Sequence, residues 1–137
     1  MQQRAKSLLL HWLNQHGRKL TRKQRWRIHH AAKTLTIVRT DNKLYDGWAL
    51  IGRPTVIHLA PEPNMPLPAL LVHEVAHIIA WIAYRDPAHG RAFQRAEQQL
   101  TPAGSPQVAS QPILPPAGSL CTCAARAVSV GAAAQAN

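Results

Sequence analysis

The chain is short of acid. Its 137 residues carry six Asp and Glu against sixteen Lys and Arg, a formal net charge of +10 and a pI near 10.9. A field of that sign selects anionic partners: nucleic acid, an anionic lipid surface or an acidic protein. Cysteine is almost missing. Cys121 and Cys123, one residue apart, cannot build a disulfide framework, so nothing points to secretion. Two thiolates also fall short of a closed structural zinc site. No apolar run is expected to reach the length of a membrane span. The opening MQQRAKSLLLHWL places a basic residue before a short apolar run, but no small-residue cleavage site follows. It reads as a helix of a cytoplasmic protein, and no membrane partner is expected. No base-reading motif is visible either, so any nucleic-acid contact should be independent of sequence.

What the chain does have is concentrated between Pro68 and Phe93, PALLVHEVAHIIAWIAYRDPAHGRAF. His73, Glu74 and His77 form an HExxH pattern. Residues four apart on a helix lie one above the other, so both imidazoles can reach one ion from one face. Glu74, next to the first ligand, can lean towards a water held there. Leu70, Leu71, Val72, Val75, Ile78, Ile79, Trp81 and Ile82 surround these residues on nearly the whole circumference, which marks a buried helix. Burying two histidines and a glutamate in it is costly unless they are paired or bind a metal. Imidazole nitrogen suits zinc, and a catalytic zinc takes three protein ligands and keeps one open position. The third ligand has to come from elsewhere. His89 is twelve residues beyond His77 and Glu97 twenty, whereas Asp86 sits so near the helix end that reaching back looks strained.

Around that stretch the chain divides simply. Residues 1–100 make one domain with enough apolar content for a modest core, and their first 43 residues are strongly basic. Residues 101–137 hold five prolines, no acid and one base, Arg126, a composition expected to be disordered. Leu8, Leu9, Trp12 and Leu13 are spaced for a helix over 3–16, with Gly17 as its C′ residue. Residues 21–32 are ambiguous: Thr21 and Gln24 are spaced like a capping box, yet Trp26, Ile28 and His30 alternate as in a strand. Strands are expected at 34–39, 45–51 and 55–60, separated by turn signals at Asp41-Asn42, Asp46-Gly47 and Gly52-Arg53-Pro54. Pro61, Pro63, Pro66 and Pro68 make a stiff connection to the motif helix, which Asp86-Pro87 should end. A last helix is expected from Arg91 to Leu100. The fold class is α+β: N-terminal helix, three-stranded sheet, HExxH helix and a following C-terminal helix.

His73-Glu74-x-x-His77 followed by His89-Gly90-x-x-Phe93 resembles the SprT-like zinc metalloprotease domain, in which HExxH is followed by a histidine in an HGxxF or HGxxW element. The resemblance covers about residues 44–100 and is carried by these two motifs. It implies a small zincin-like domain, one zinc per chain on His73, His77 and His89, and Glu74 as general base. It further implies proteolysis linked to DNA, since some relatives cleave protein crosslinked to DNA. The C-terminal zinc ribbon of many SprT proteins is reduced here to Cys121 and Cys123. By analogy with zinc proteases, in which the strand before the motif helix runs along the cleft, the strand at 55–60 is the candidate edge for pairing with an extended peptide.

Eleven of the sixteen basic residues fall in the first 43 positions, against one acid, Asp41. Arg18, Lys19, Arg22, Lys23, Arg25 and Arg27 form a dense run with Trp26 inside it. Cations for phosphates and an aromatic platform for a base are what a single-stranded nucleic acid requires. A solvated face that keeps the protein soluble is the plainer reading of the same run. Three functions follow from these residues: a zinc endopeptidase, a basic nucleic-acid-binding module with a structural zinc, or a zinc hydrolase acting on a non-peptide bond. Tyr84, His58 and Arg91 are the candidate donors to an oxyanion.

Overall fold

A computed structural model describes residues 1–41, 45–52, 54–86 and 88–101. The elements run α1 (Gln2–His16), a 3-10 turn (Gly17–Lys19), α2 (Arg22–Thr34), β1 (Thr36–Arg39), β2 (Gly47–Leu50), β3 (Val56–Leu59), α3 (Leu67–Tyr84) and α4 (Arg91–Leu100). This is the α+β order expected from the patterning. The ambiguous stretch is helical because its cap decides the matter. Thr21 Oγ1 accepts from the Gln24 amide at 3.2 Å, and the Gln24 side chain accepts in return from the Thr21 amide at 2.8 Å. Its buried residues Ile28, Ala31 and Ala32 then follow a helical spacing, while Trp26 and His30 fall outside the core.

Gly17 differs from expectation. It has φ −62° and continues into the 3-10 turn, so no left-handed cap is made. The glycine serves close packing instead, since a Cβ there would meet Leu13 Cδ1 at 3.1 Å. The left-handed helix end belongs to Arg85, φ 58° and ψ 30°, which closes α3 before Asp86. Pro87, Asn42, Arg53 and the Cys121–Cys123 pair lie outside the described residues.

The sheet order is β1-β3-β2, with β1 parallel and β2 antiparallel to β3. This corrects the assignment of an edge to residues 55–60. Val56–Leu59 is the central strand, hydrogen-bonded on both sides, and offers no edge to a peptide. The connection before α3 is pinned by Asp46. Its buried carboxylate accepts from the Met65 amide at 2.9 Å and from Asn64 Nδ2 at 3.3 Å. The helix that follows begins with Pro68 in its first turn, where a missing amide hydrogen costs nothing.

α3 runs through the centre, packed on by α1, α2, α4 and the inner sheet face. By length and composition Leu67–Tyr84 is apolar enough to cross a membrane, contrary to the expectation that no run would be, and 67% of it is buried inside the fold. Trp12 Nε1 donates to Gln99 Oε1 at 2.8 Å and ties α1 to α4, while Gln24 donates to the Ala83 carbonyl and ties α2 to the end of α3.

Candidate metal centre

Three histidines converge at the middle of α3. His73 and His77 are one turn apart on the helix and almost fully buried. His89 approaches from the segment between α3 and α4. The three ring centroids form a near-equilateral triangle with sides of 4.9, 5.0 and 4.8 Å. Their ligand atoms lie within 4.8 Å of one another. His73 Nε2 and His89 Nε2 are 3.1 Å apart. Two nitrogens about 2.0 Å from one tetrahedral ion stand about 3.3 Å apart, so this pair already has the right separation. The cluster can hold a metal ion.

What brings His89 in is a cap built around Asp86. The Asp86 side chain accepts from the amides of Ala88 and Ala92, each at 3.2 Å, and so covers the first turn of α4, whose own N-cap residue, Gly90, has no side chain to offer. Gly90 is required there. A Cβ on it would collide with the Asp86 carboxylate, meeting Cγ at 2.8 Å. Asp86 is thus engaged as a cap, which disposes of it as a ligand on better grounds than strain. Phe93, the only phenylalanine of the chain, packs beside all three imidazoles with centroids 4.3 to 4.9 Å away.

Glu97, the other ligand candidate, stands behind His73. Its Oε1 is 2.9 Å from His73 Nδ1, so the imidazole donates that proton to the carboxylate and turns its Nε2 lone pair to the cluster. That is the place of a group that orients a ligand. Sequence spacing alone could not separate the two roles, because a residue one helix away reaches either nitrogen.

Glu74 is completely buried, and neither carboxylate oxygen has a hydrogen-bond partner. Burial first, and then the Glu97 carboxylate, push its pKa well above the usual carboxylate range. A nearby dication would pull it back towards the carboxylate form. Gly47, at the start of β2, makes room for it: a Cβ there would meet Glu74 Oε1 at 3.2 Å and the His58 carbonyl at 3.0 Å. In the sequence Asp46-Gly47 carries only a turn signal. In the fold Gly47 is a close approach and Asp46 an anchor.

Two of the histidines are held neutral. Burial, with His73 and His89 nearby, drives the His77 pKa well down. Burial and His73 lower His89 to about 4, against smaller opposing effects of Glu97 and Asp86. Ligation needs neutral imidazole, so the metal-free site is prepared for it. These shifts fix a sign for stability. Unfolded imidazoles titrate near 6.5 and bind protons that the folded His77 and His89 refuse. The stability involved is full above pH 6.5 and is lost as the pH falls towards 4. In denaturant titrations of metal-free protein, His89→Gln should flatten this acid limb. An unchanged limb would place the lost stability elsewhere.

The remaining sequence candidates are scattered. Arg18, Lys19, Arg22, Lys23 and Arg25 are exposed and Arg27 is half-buried, on the 3-10 turn and α2. His58 stacks on Trp48 at 4.5 Å, on the sheet face opposite that of the buried Ile57 and Leu59. Tyr84 is exposed at the end of α3, and Arg91 is exposed at the start of α4. No family model matches this chain, and neither does any curated protein or solved structure.

Proposed function

We propose that the chain is a zinc-dependent metallopeptidase, an endopeptidase with Glu74 as general base. The observation that carries this reading is Glu74 itself: a fully buried carboxyl with both oxygens unpartnered, beside three histidines that can hold an ion. Leaving such a group unsatisfied costs stability, and its natural partner is a water at the open position of the site. His73, His77 and His89 would hold the zinc, with Glu97 fixing the His73 tautomer. Bound zinc supplies a Lewis acid for the scissile carbonyl and acidifies a water to a pKa of about 7. Glu74 would serve as the base that takes a proton from that water and would pass it to the leaving amine. An extended substrate would pair with the outer edge of β2, the strand that meets Glu74 at Gly47, in place of the central β3.

The three-histidine set favours catalysis over a structural zinc, because structural sites close their coordination with four protein ligands. Hydrolysis of a non-peptide bond uses the same activated water, and a peptide is preferred for the strand edge beside Glu74. The exposed cations of the basic half support a sequence-independent contact with nucleic acid, and so an action on DNA-associated proteins. Incubation with casein, with and without single-stranded DNA, tests the reading. Chelation should stop cleavage and stoichiometric zinc should restore it. Cleavage that survives complete metal removal would refute it.

A further inference from the structure

Away from the histidine residues, a concavity lies between α2, the C-terminal end of α3 and the β2–β3 connection. It encloses about 250 Å³ and is walled by Trp26, Arg27 and His30 from α2 and by Trp81 and Arg85 from α3. Ile82 and Ala31 contribute apolar surface, Gly52 and Thr55 of the β2–β3 connection also line it, and no acidic residue among those described takes part. The aromatic surfaces are already organised. The Trp26 indole, 52% exposed, is stacked on His30 with centroids 5.1 Å apart and planes 13° apart. The Arg85 guanidinium lies over the Trp81 ring at 5.4 Å. Arg85 is also the only non-glycine residue with positive φ among those described. A left-handed helix end favours glycine, and this one carries an arginine whose side chain reaches the pocket.

Two indoles in one pocket with two arginines and a histidine match a flat ring bearing a negative charge. An apolar ligand would leave the cations without purpose, and an acidic peptide would leave the indoles without a stacking partner. The cations also extend past the pocket mouth. Lys23 is one turn from the half-buried Arg27 and Arg22 one turn from Trp26; Arg22, Lys23 and Trp26 are exposed on α2, with the exposed Arg18 and Lys19 beyond. One nucleotide has no use for that row, whereas a chain of phosphates does. We propose that this pocket is a base-stacking subsite for single-stranded nucleic acid, in which one base enters between Trp26 and Trp81 and the adjoining phosphates follow α2 towards Arg18. It rests on the nucleic-acid contact proposed above and is independent of the peptidase chemistry, so its test needs no hydrolysis.

The measurement is fluorescence anisotropy of a labelled twelve-residue thymidine oligonucleotide with the zinc-loaded full chain at fixed salt. Trp26→Ala and Arg85→Gly should each weaken binding about tenfold, the scale of one stacked base. Arg85→Gly places glycine where the backbone favours it, so its melting temperature should not fall. If that variant nevertheless unfolds, Trp26→Ala, at an exposed position, decides alone. An abasic oligomer should bind the parent about tenfold more weakly and should lose nothing further in Trp26→Ala. Parent-like binding by Trp26→Ala, or equal binding of abasic and intact oligomers, would overturn the subsite and leave only charge. Competition by thymidine monophosphate at the oligomer's own concentration would overturn the strand assignment in favour of a closed nucleotide site.

Discussion

Glu74→Gln should keep the zinc and lose the hydrolysis. The rate of peptide cleavage is expected to fall by about 10²- to 10⁴-fold, the usual contribution of a positioned general base. Zinc content, measured by atomic emission, should stay near one per chain, because Glu74 is not among the histidines that can hold the ion. The same substitution has a second readout. Burial and then Glu97 raise the Glu74 pKa in the metal-free fold, so its contribution is present at low pH and is lost as the pH rises through that elevated pKa. The glutamine amide stays neutral throughout. Metal-free Glu74→Gln should therefore gain on the parent as the pH rises, with the gap closing in acid. Hydrolysis that persists in this variant would remove the mechanism, and loss of zinc would show that Glu74 binds the ion.

His89→Ala should empty the site, whereas Glu97→Gln should only weaken it. The alanine removes one of three ligands, so zinc should be lost on dialysis against a weak chelator while the parent retains it. The amide at 97 can still accept from His73 Nδ1 but no longer offers a charged acceptor, and a change of that kind costs about 10- to 100-fold in affinity. Competition with a fluorescent zinc chelator orders the three proteins as parent, Glu97→Gln, His89→Ala. The reverse order of the two variants would make Glu97 the third ligand and His89 a bystander.

The motif helix was legible because one short pattern carried its chemistry and the surrounding residues its burial. His73, Glu74 and His77 fall within five consecutive positions, so helical geometry alone brings them together. His89 was legible only as one of several downstream residues, and it took the resemblance to prefer it. The reason became visible in space: Asp86 caps α4 through a contact that only glycine at 90 permits. Strand positions were readable from β-branched alternation, but their lateral order was not. Nothing in the Val56–Leu59 segment says that β1 pairs beside it in parallel, since lateral order is set by the packing of the whole sheet and is not written in the pattern of one strand. Trp81 was read as part of a buried circumference, and its place in a pocket depended on the approach of α2, which sequence spacing does not encode.

The cap on α4 has a consequence for the kinetics of metal uptake. A third ligand on a loose loop would have to be collected by the ion, with chain entropy lost at that moment. Here the segment between the two helices is closed beforehand by the Asp86 carboxylate, and the His89 ring already rests against His73. An ion bound there would meet its three nitrogens as a standing chelate, and ordering costs that would otherwise subtract from its affinity would already have been met in folding. Association of a metal ion with this cluster should accordingly be limited by entry and by dehydration of the ion, with amide exchange in the first turn of α4 slow in the metal-free protein as well as in the loaded one.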